Sequence, residues 1–282
     1  MGTFVTIVAN HPDLYEAQYA VKSAFAEINR VVDLMSVHKS DSEVSCLNKN
    51  GFYIDISEDT KYVICRANYF SGLSDGAFDI TILPILKLWE QKKQEREPPT
   101  DEEICKSLEL VNYKNIMFGS TNIKFAKYGM NITLAGAAKG YAIDRAIQSL
   151  KKNNIKHALV NGGGDIRVIG GKTKDLPWKI CVLDPRSKGK IFTTIDLYNK
   201  SIATSGTYKR LFNDLINPKD GKPAQEILSS TIIAEEAIDA DILATSLIVL
   251  GEKESMRLIK ELGDVKFLLI TKDGGYIKNW QN

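Results

Sequence analysis

Histidine is scarce in this chain, and neither histidine nor cysteine recurs at a metal-binding spacing. The three histidines, His11, His38 and His157, stand far apart in dissimilar contexts. Without an HExxH or Hx₃H pattern a zinc hydrolase is disfavoured, and nothing points to a Ser/His/Asp triad. Cys46, Cys65, Cys105 and Cys181 form no CxxC pair. That argues against a zinc site or thioredoxin-like motif and leaves buried thiols or disulfides open. No run approaches the roughly 18 apolar residues of a spanning helix, so no transmembrane segment is expected. A basic region followed by an apolar one is also missing at the start, although a signal removed from the mature protein would leave no trace. Charge of one sign is lacking too: 37 Lys and Arg face 35 Asp and Glu, a net charge of +2. Nucleic acid is not an expected partner of so balanced a surface. The run KLWEQKKQER (87–96) is diluted by Glu and Gln and reads as a solvated loop or helix face.

What is present is an ordinary globular mixture, 44% hydrophobic and 26% charged over 282 residues. That length suits one large domain or two intimate halves around a sizeable core. Thr3 to Val8 alternates like a strand, and Pro12 sits where a helix could begin. Apolar residues from Leu14 to Met35 recur at helical spacing. The polar, Ser- and Asn-rich stretch from Met35 to Asn50 reads as a loop, and a helix is expected from an N-cap at Ser57 to about Phe70. Pro98 and Pro99 close a charged surface excursion. An amphipathic helix from Gly140 should stop at Asn153 and Asn154, followed by a hairpin around Gly162, Gly163 and Gly164. The chain should end with a helix (Glu252 to Leu262), a strand (Val265 to Thr271) and a turn at Asp273-Gly274-Gly275. Helices and hairpins mix without regular βαβ alternation, which predicts an α+β fold.

Several short constellations could carry chemistry. In ADILATSLIVLG (240–251), Asp241 and Thr245 lie one helical turn apart on one face. A carboxylate and a hydroxyl so placed make a hard oxygen pair suited to Mg²⁺. Alternatively, Asp241 caps the helix and Thr245 bonds back to a carbonyl. In TLAGAAKGYAID (133–144), small residues precede a helix and Lys139 adds positive charge at its start, a setting for an anion. The same small residues would equally permit tight packing. NGGGD (161–165) is an anion-binding nest or a hairpin turn. Ala77, Phe78 and Asp79 place an aromatic beside a carboxylate after a glycine turn, and Ala203-Thr204-Ser205-Gly206 offers hydroxyls that cradle phosphates or merely turn the chain.

Taken together and in order, these pieces resemble the FAD:protein FMN transferase (ApbE) family from Met1 to near residue 252. The resemblance is carried by Met1-Gly2-Thr3-Phe4, Asp41-Ser42-Glu43-Val44 with Leu47-Asn48, GAFDITILPILKLW (76–89), AGAAKGYAID (135–144), NGGGDI (161–166), IATSGTY (202–208), INPKDGKP (216–223) and DADILATSLIVLG (239–251). It implies a T-fold-like α+β architecture. Antiparallel-rich sheets would pack against helices, with two halves merged into a single domain over residues 1–282. It also implies Mg²⁺ held by the Gly136 carbonyl, Asp241 and Thr245. Contacts to FAD, as substrate, would fall on Met1, Ala77, Phe78, Asp79, Thr133, Lys139 and Ile216. At Thr133 the family usually has Asp, so that contact would run through backbone or hydroxyl. The implied reaction moves FMN from FAD onto a Ser or Thr of an acceptor flavoprotein of a redox complex, releasing AMP. Most relatives work outside the cytoplasmic membrane, often through a lipid anchor. Where the family usually carries a His two residues before its Ile-Asn-Pro run, this chain has Asp214. Asp214 could accept the hydroxyl proton. Otherwise a water or another group would accept it, or the protein would bind FAD, or hydrolyse it as a Mg²⁺-dependent pyrophosphatase, without transfer.

Overall fold

A stripe of Ala20, Ala24, Ile28, Val31 and Met35 buries one face of helix α1 (Leu14–Met35), which follows strand β1 (Val5–Asn10). The computed structural model describes residues 2–207, 215–263 and 265–280. Asp13 opens α1 by accepting from the amides of Tyr15 and Glu16, so Pro12 stands just ahead of the cap and not in the first turn.

The stretch expected to be a loop contains helix α2 (Glu43–Asn50). Its polar composition hides three helix signals. The Ser42 hydroxyl accepts from Ser45 N at 3.0 Å, Val44 and Leu47 share a buried face, and Gly51 ends the helix at φ 75°. Strand β2 (Phe52–Ile54) leads to α3 (Glu58–Leu73), capped by Ser57 as its position predicts. Helices α4 (Leu83–Glu95) and α5 (Asp101–Leu108) follow, and the charged run at 87–96 lies largely on α4. Strands β3 (Ile116–Phe118) and β4 (Asn122–Phe125) join β2 in a three-stranded sheet of order β2-β4-β3.

The second half begins with α6 (Ala138–Lys152) and the expected hairpin of β5 (His157–Gly162) and β6 (Asp165–Ile169). Gly163 and Gly164 turn that hairpin at φ 68° and 106°, values that favour glycine. Then come β7 (Trp178–Leu183), β8 (Ile191–Leu197), β9 (Ser201–Gly206), β10 (Ile227–Ala234), α7 (Ala237–Leu262), β11 (Lys266–Thr271) and β12 (Tyr276–Lys278). Within α7, Gly251 leaves the helical region at φ 73°, at the joint between the two helices read from the sequence. The ATSG segment is strand, not turn, because β9 is paired with β10 along its whole length.

Seven strands form an antiparallel sheet of order β1-β5-β6-β9-β10-β11-β12. Period-two alternation splits its side chains between two cores. Ala203, Ile232, Phe267 and Leu269 join the core built with α1, α6 and α7. Ile202, Ile233, Leu268 and Ile270 pack against Trp178, Ile180 and Leu197 of the β7–β8 hairpin. The fold is α+β, with antiparallel sheets packed against helices.

Helices α6 and α7 cap each other. Neither has a side-chain bond from its own N-cap residue. Instead Asp241 of α7 accepts from Gly140 N of α6 at 3.1 Å, and Asp144 of α6 accepts from Ala237 N and Ile238 N of α7 at 2.8 and 2.9 Å. Orphan amides at each helix start are thereby satisfied by a carboxylate from the other helix. Arg167 of β6 adds an ion pair to Asp144. Asp144→Ala is therefore expected to cost about 3 kcal/mol, since it strands buried amides and an arginine together. A thermal melt checks it, with a fall in Tm of roughly 6–12 °C for a chain of this size. An unchanged Tm would contradict the cross-capping account.

Candidate functional site

The start of α6 carries Lys139 and the second turn of α7 carries Asp241, and the mutual capping brings these two charges together. Lys139 Nζ forms an ion pair with Asp165 and lies 3.4 Å from Asp241 Oδ1. Both carboxylates are almost fully buried, Asp165 at 1% and Asp241 at 3% exposure, so two anions share one ammonium in a low-dielectric wall. Burial opposes the charge on Lys139, but the two carboxylates more than offset it and hold its pKa above the ordinary lysine value. Burial, then repulsion from Asp241, pushes the Asp165 carboxyl up.

One turn beyond Asp241, the Thr245 hydroxyl is hydrogen-bonded with Ser205 Oγ, 3.2 Å away on β9. The capping alternative for this pair does not describe the structure: α7 starts at Ala237, four residues before Asp241, and the Asp241 carboxylate serves α6. Gly136 lies beside the same hydroxyl. A Cβ built on Gly136 would fall 3.9 Å from Thr245 Oγ1 and 3.0 Å from Phe78 Cε2, so the absence of a side chain lets the ring stand against the main chain. Carboxylate, hydroxyl and a glycine main chain thus meet on one wall. These are hard oxygen donors, and the wall carries one carboxylate more than it has ammonium groups. Such a donor set fits a divalent cation of the Mg²⁺ type.

That wall bounds a cavity of about 360 Å³. Ala77, Phe78, Asp79, Thr133, Gly136, Lys139, Ile216, Asp241 and Thr245 all line it, so the structure brings together every site residue expected from the sequence that it describes. Met1 and Asp214 lie outside the described residues. The size is that of a cofactor site, with apolar side chains such as Phe78, Ile80 and Ile216 facing hydroxyl and charged groups. Asp79 turns inward: Oδ1 accepts from Thr81 N and Oγ1 at 2.8 and 2.6 Å, and Oδ2 from Tyr113 N at 2.9 Å. Burial nevertheless pushes its pKa up, the three bonds opposing. Its visible role is to hold the loop that carries Phe78. Thr133 N donates to Ile80 O at 2.8 Å, which ties the irregular segment before α6 to the turn that follows Phe78.

Two contributors were missing from the expected set. Ser205 touches Thr245, and Asp165 pairs with Lys139. Their ATSG and NGGGD runs are conspicuous in the sequence, but which members face the site depends on strand register, which neither run encodes. Beside the main cavity lies a second of about 230 Å³, which shares Thr133, Ala135 and Lys139 and reaches Met35, Val37 and His38.

A family model described as the ApbE family matches residues 1–269. The FAD:protein FMN transferase of Haemophilus influenzae is 30% identical over 263 residues, spanning 86% of this chain and 76% of that protein. Among solved structures, the flavin transferase ApbE from Vibrio cholerae is 28% identical with a TM-score of 0.85, covering 99% of this chain and 94% of its own. The ApbE protein from Thermotoga maritima is 32% identical with a TM-score of 0.90, again over 99% and 94%.

Proposed function

The chain belongs to the ApbE family, and from that premise we propose that it is an FAD:protein FMN transferase acting as a single domain. The observation that carries the reading is the meeting of Gly136, Lys139, Asp241 and Thr245 with Phe78 and Ile216 on one cavity, from segments far apart in the chain. Asp241, the Thr245 hydroxyl and the Gly136 main-chain oxygen would hold Mg²⁺, which when bound supplies positive charge against the diphosphate of FAD. Lys139, which lines the cavity at the start of α6, would offer its ammonium to a phosphate. Phe78 offers a ring to the flat part of the substrate, and Ala77, Thr133, Ile216 and the preceding Met1 complete the FAD contacts.

In the transfer, the oxygen of an acceptor Ser or Thr forms a bond to the FMN phosphorus. The bond from that phosphorus to the bridging oxygen breaks, and AMP leaves with the oxygen. The hydroxyl proton passes to Asp214, which directly precedes the cavity-lining Leu215 in the chain. The acceptor would be a flavoprotein of a membrane redox complex or an extracellular reductase, and work outside the cytoplasmic membrane would suit such an acceptor. No helix among the described residues is long and apolar enough to cross a membrane.

Mass spectrometry tests the reading. With FAD, Mg²⁺ and an acceptor bearing the target Ser/Thr, a covalent FMN adduct is expected. Free FMN and AMP without an adduct would replace transfer by hydrolysis, and intact FAD would leave only binding. In the same assay Asp214→Ala should slow turnover by about 10²–10⁴-fold with FAD affinity retained. A full rate would take the proton away from Asp214.

A further inference from the structure

Among the described residues, Asp165 is the one buried carboxylate of the site that does not line the cavity. It opens β6 directly after the Gly163-Gly164 turn, and one of its oxygens accepts from Thr204 N at 3.4 Å while the other pairs with Lys139. Lys139 and Asp241 both line the cavity and Asp165 does not, so Asp165 acts on any bound molecule only through its neighbours. The ammonium of Lys139 has two carboxylates within reach and sits in contact with Asp165, leaving Asp241 Oδ1 at the longer distance of 3.4 Å. Asp241 Oδ2 is already engaged by Gly140 N. Oδ1 is therefore the oxygen that remains for a cation, and Lys139 is the group that competes for it.

We propose that Asp165 is a positioning residue that holds the Lys139 ammonium off Asp241, keeping Asp241 Oδ1 open to a divalent cation. With Asp165 neutral, the buried ammonium keeps a single counter-charge and closes on it, because an unpaired buried charge is the costlier arrangement. The competing ion pair then occupies the lone pairs the metal needs. The inference rests on the reading of Asp241 as a metal ligand.

The test is Mn²⁺ binding to the full chain without flavin, read by the loss of the free-ion paramagnetic resonance signal. The wild type should bind, and Asp165→Asn should weaken binding by about tenfold or more. Lys139→Met removes the competitor, so adding Asp165→Asn to it should change affinity by less than about twofold. A merely structural or purely coulombic role for Asp165 would give the same loss in both backgrounds and overturns the proposal, as does a single variant that binds like the wild type. Should the single variant not fold, the double variant is compared with Lys139→Met alone. Equal affinity supports the assignment and a tenfold loss overturns it. A wild type that binds no Mn²⁺ removes the metal reading itself, an outcome distinct from a wild type that binds while the variant does too.

Discussion

Asp241→Ala is expected to lower turnover on the order of 10³-fold or more, since charge stabilisation by a metal is worth several kcal/mol and each 1.4 kcal/mol is about tenfold. The carboxylate is 3% exposed, bonds Gly140 N and stands 3.4 Å from Lys139, so the substitution removes an anion that the helix pair was built around. Flavin affinity should fall far less, because Phe78 and the apolar wall are untouched. Asp241→Asn separates the roles. It keeps an acceptor for Gly140 N and hence the fold, but loses the charge, so its turnover should fall as far as that of the alanine variant while its melting temperature stays near that of the wild type. Turnover against Mg²⁺ concentration, with a melt for each variant, makes the measurement. Equal turnover by Asp241→Ala in saturating Mg²⁺ would remove the metal from the account.

Gly140→Ala should be nearly as damaging for a different reason. A Cβ at this position would stand 2.3 Å from Ala237 O, 2.6 Å from Ala237 C and 2.7 Å from Ile238 Cα. These are backbone atoms and cannot rotate away, so α6 and α7 must separate. Overpacking against side chains costs about 1–3 kcal/mol, and against backbone the upper end or beyond is expected. The separation would also break the bonds from Gly140 N to Asp241 and from Ala237 N and Ile238 N to Asp144. Stability and turnover should then fall together. Gly72→Ala is the control: it is exposed on α3, and the nearest atom to an added Cβ is Tyr113 Oη at 4.0 Å. Helix propensity predicts a gain of up to about 1 kcal/mol there. A Gly140→Ala variant that melts with the wild type would contradict the close crossing of the two helices.

The contrast between Asp241 and Asp144 shows what a sequence exposes. Asp241 and Thr245 are four residues apart on an apolar helix, so their shared face follows from helical geometry alone. Asp144 meets Ala237 and Ile238 across 93 and 94 positions, and no local pattern announces that contact. Helix α1 and the hairpin at Gly163-Gly164 are legible because periodicity and turn chemistry are local. Helix α2 was obscured by its serines and asparagines, although Ser42 and Gly51 mark its ends. The ATSG run reads equally as phosphate-cradling hydroxyls or a turn, and in the strand its hydroxyls serve neighbours: Thr204 bonds Thr231 Oγ1 of β10 at 2.9 Å, and Ser205 bonds Thr245. Asp165 went unassigned for the same reason, since its partner is set by how α6 crosses β6. Asp144, Asp165 and Ser205 all lie inside motifs that resemble the family, yet the partner of each is set by how distant elements cross, which no motif spells out.

The most direct test is a crystal grown with FAD and Mn²⁺, examined by anomalous diffraction at the manganese edge. One strong peak is expected, bonded to Asp241, to Thr245 Oγ1 and to the Gly136 main-chain oxygen, with a diphosphate oxygen of FAD completing the contact. Flavin density in the cavity with the manganese peak elsewhere, or with those three protein oxygens pointing apart, would contradict it.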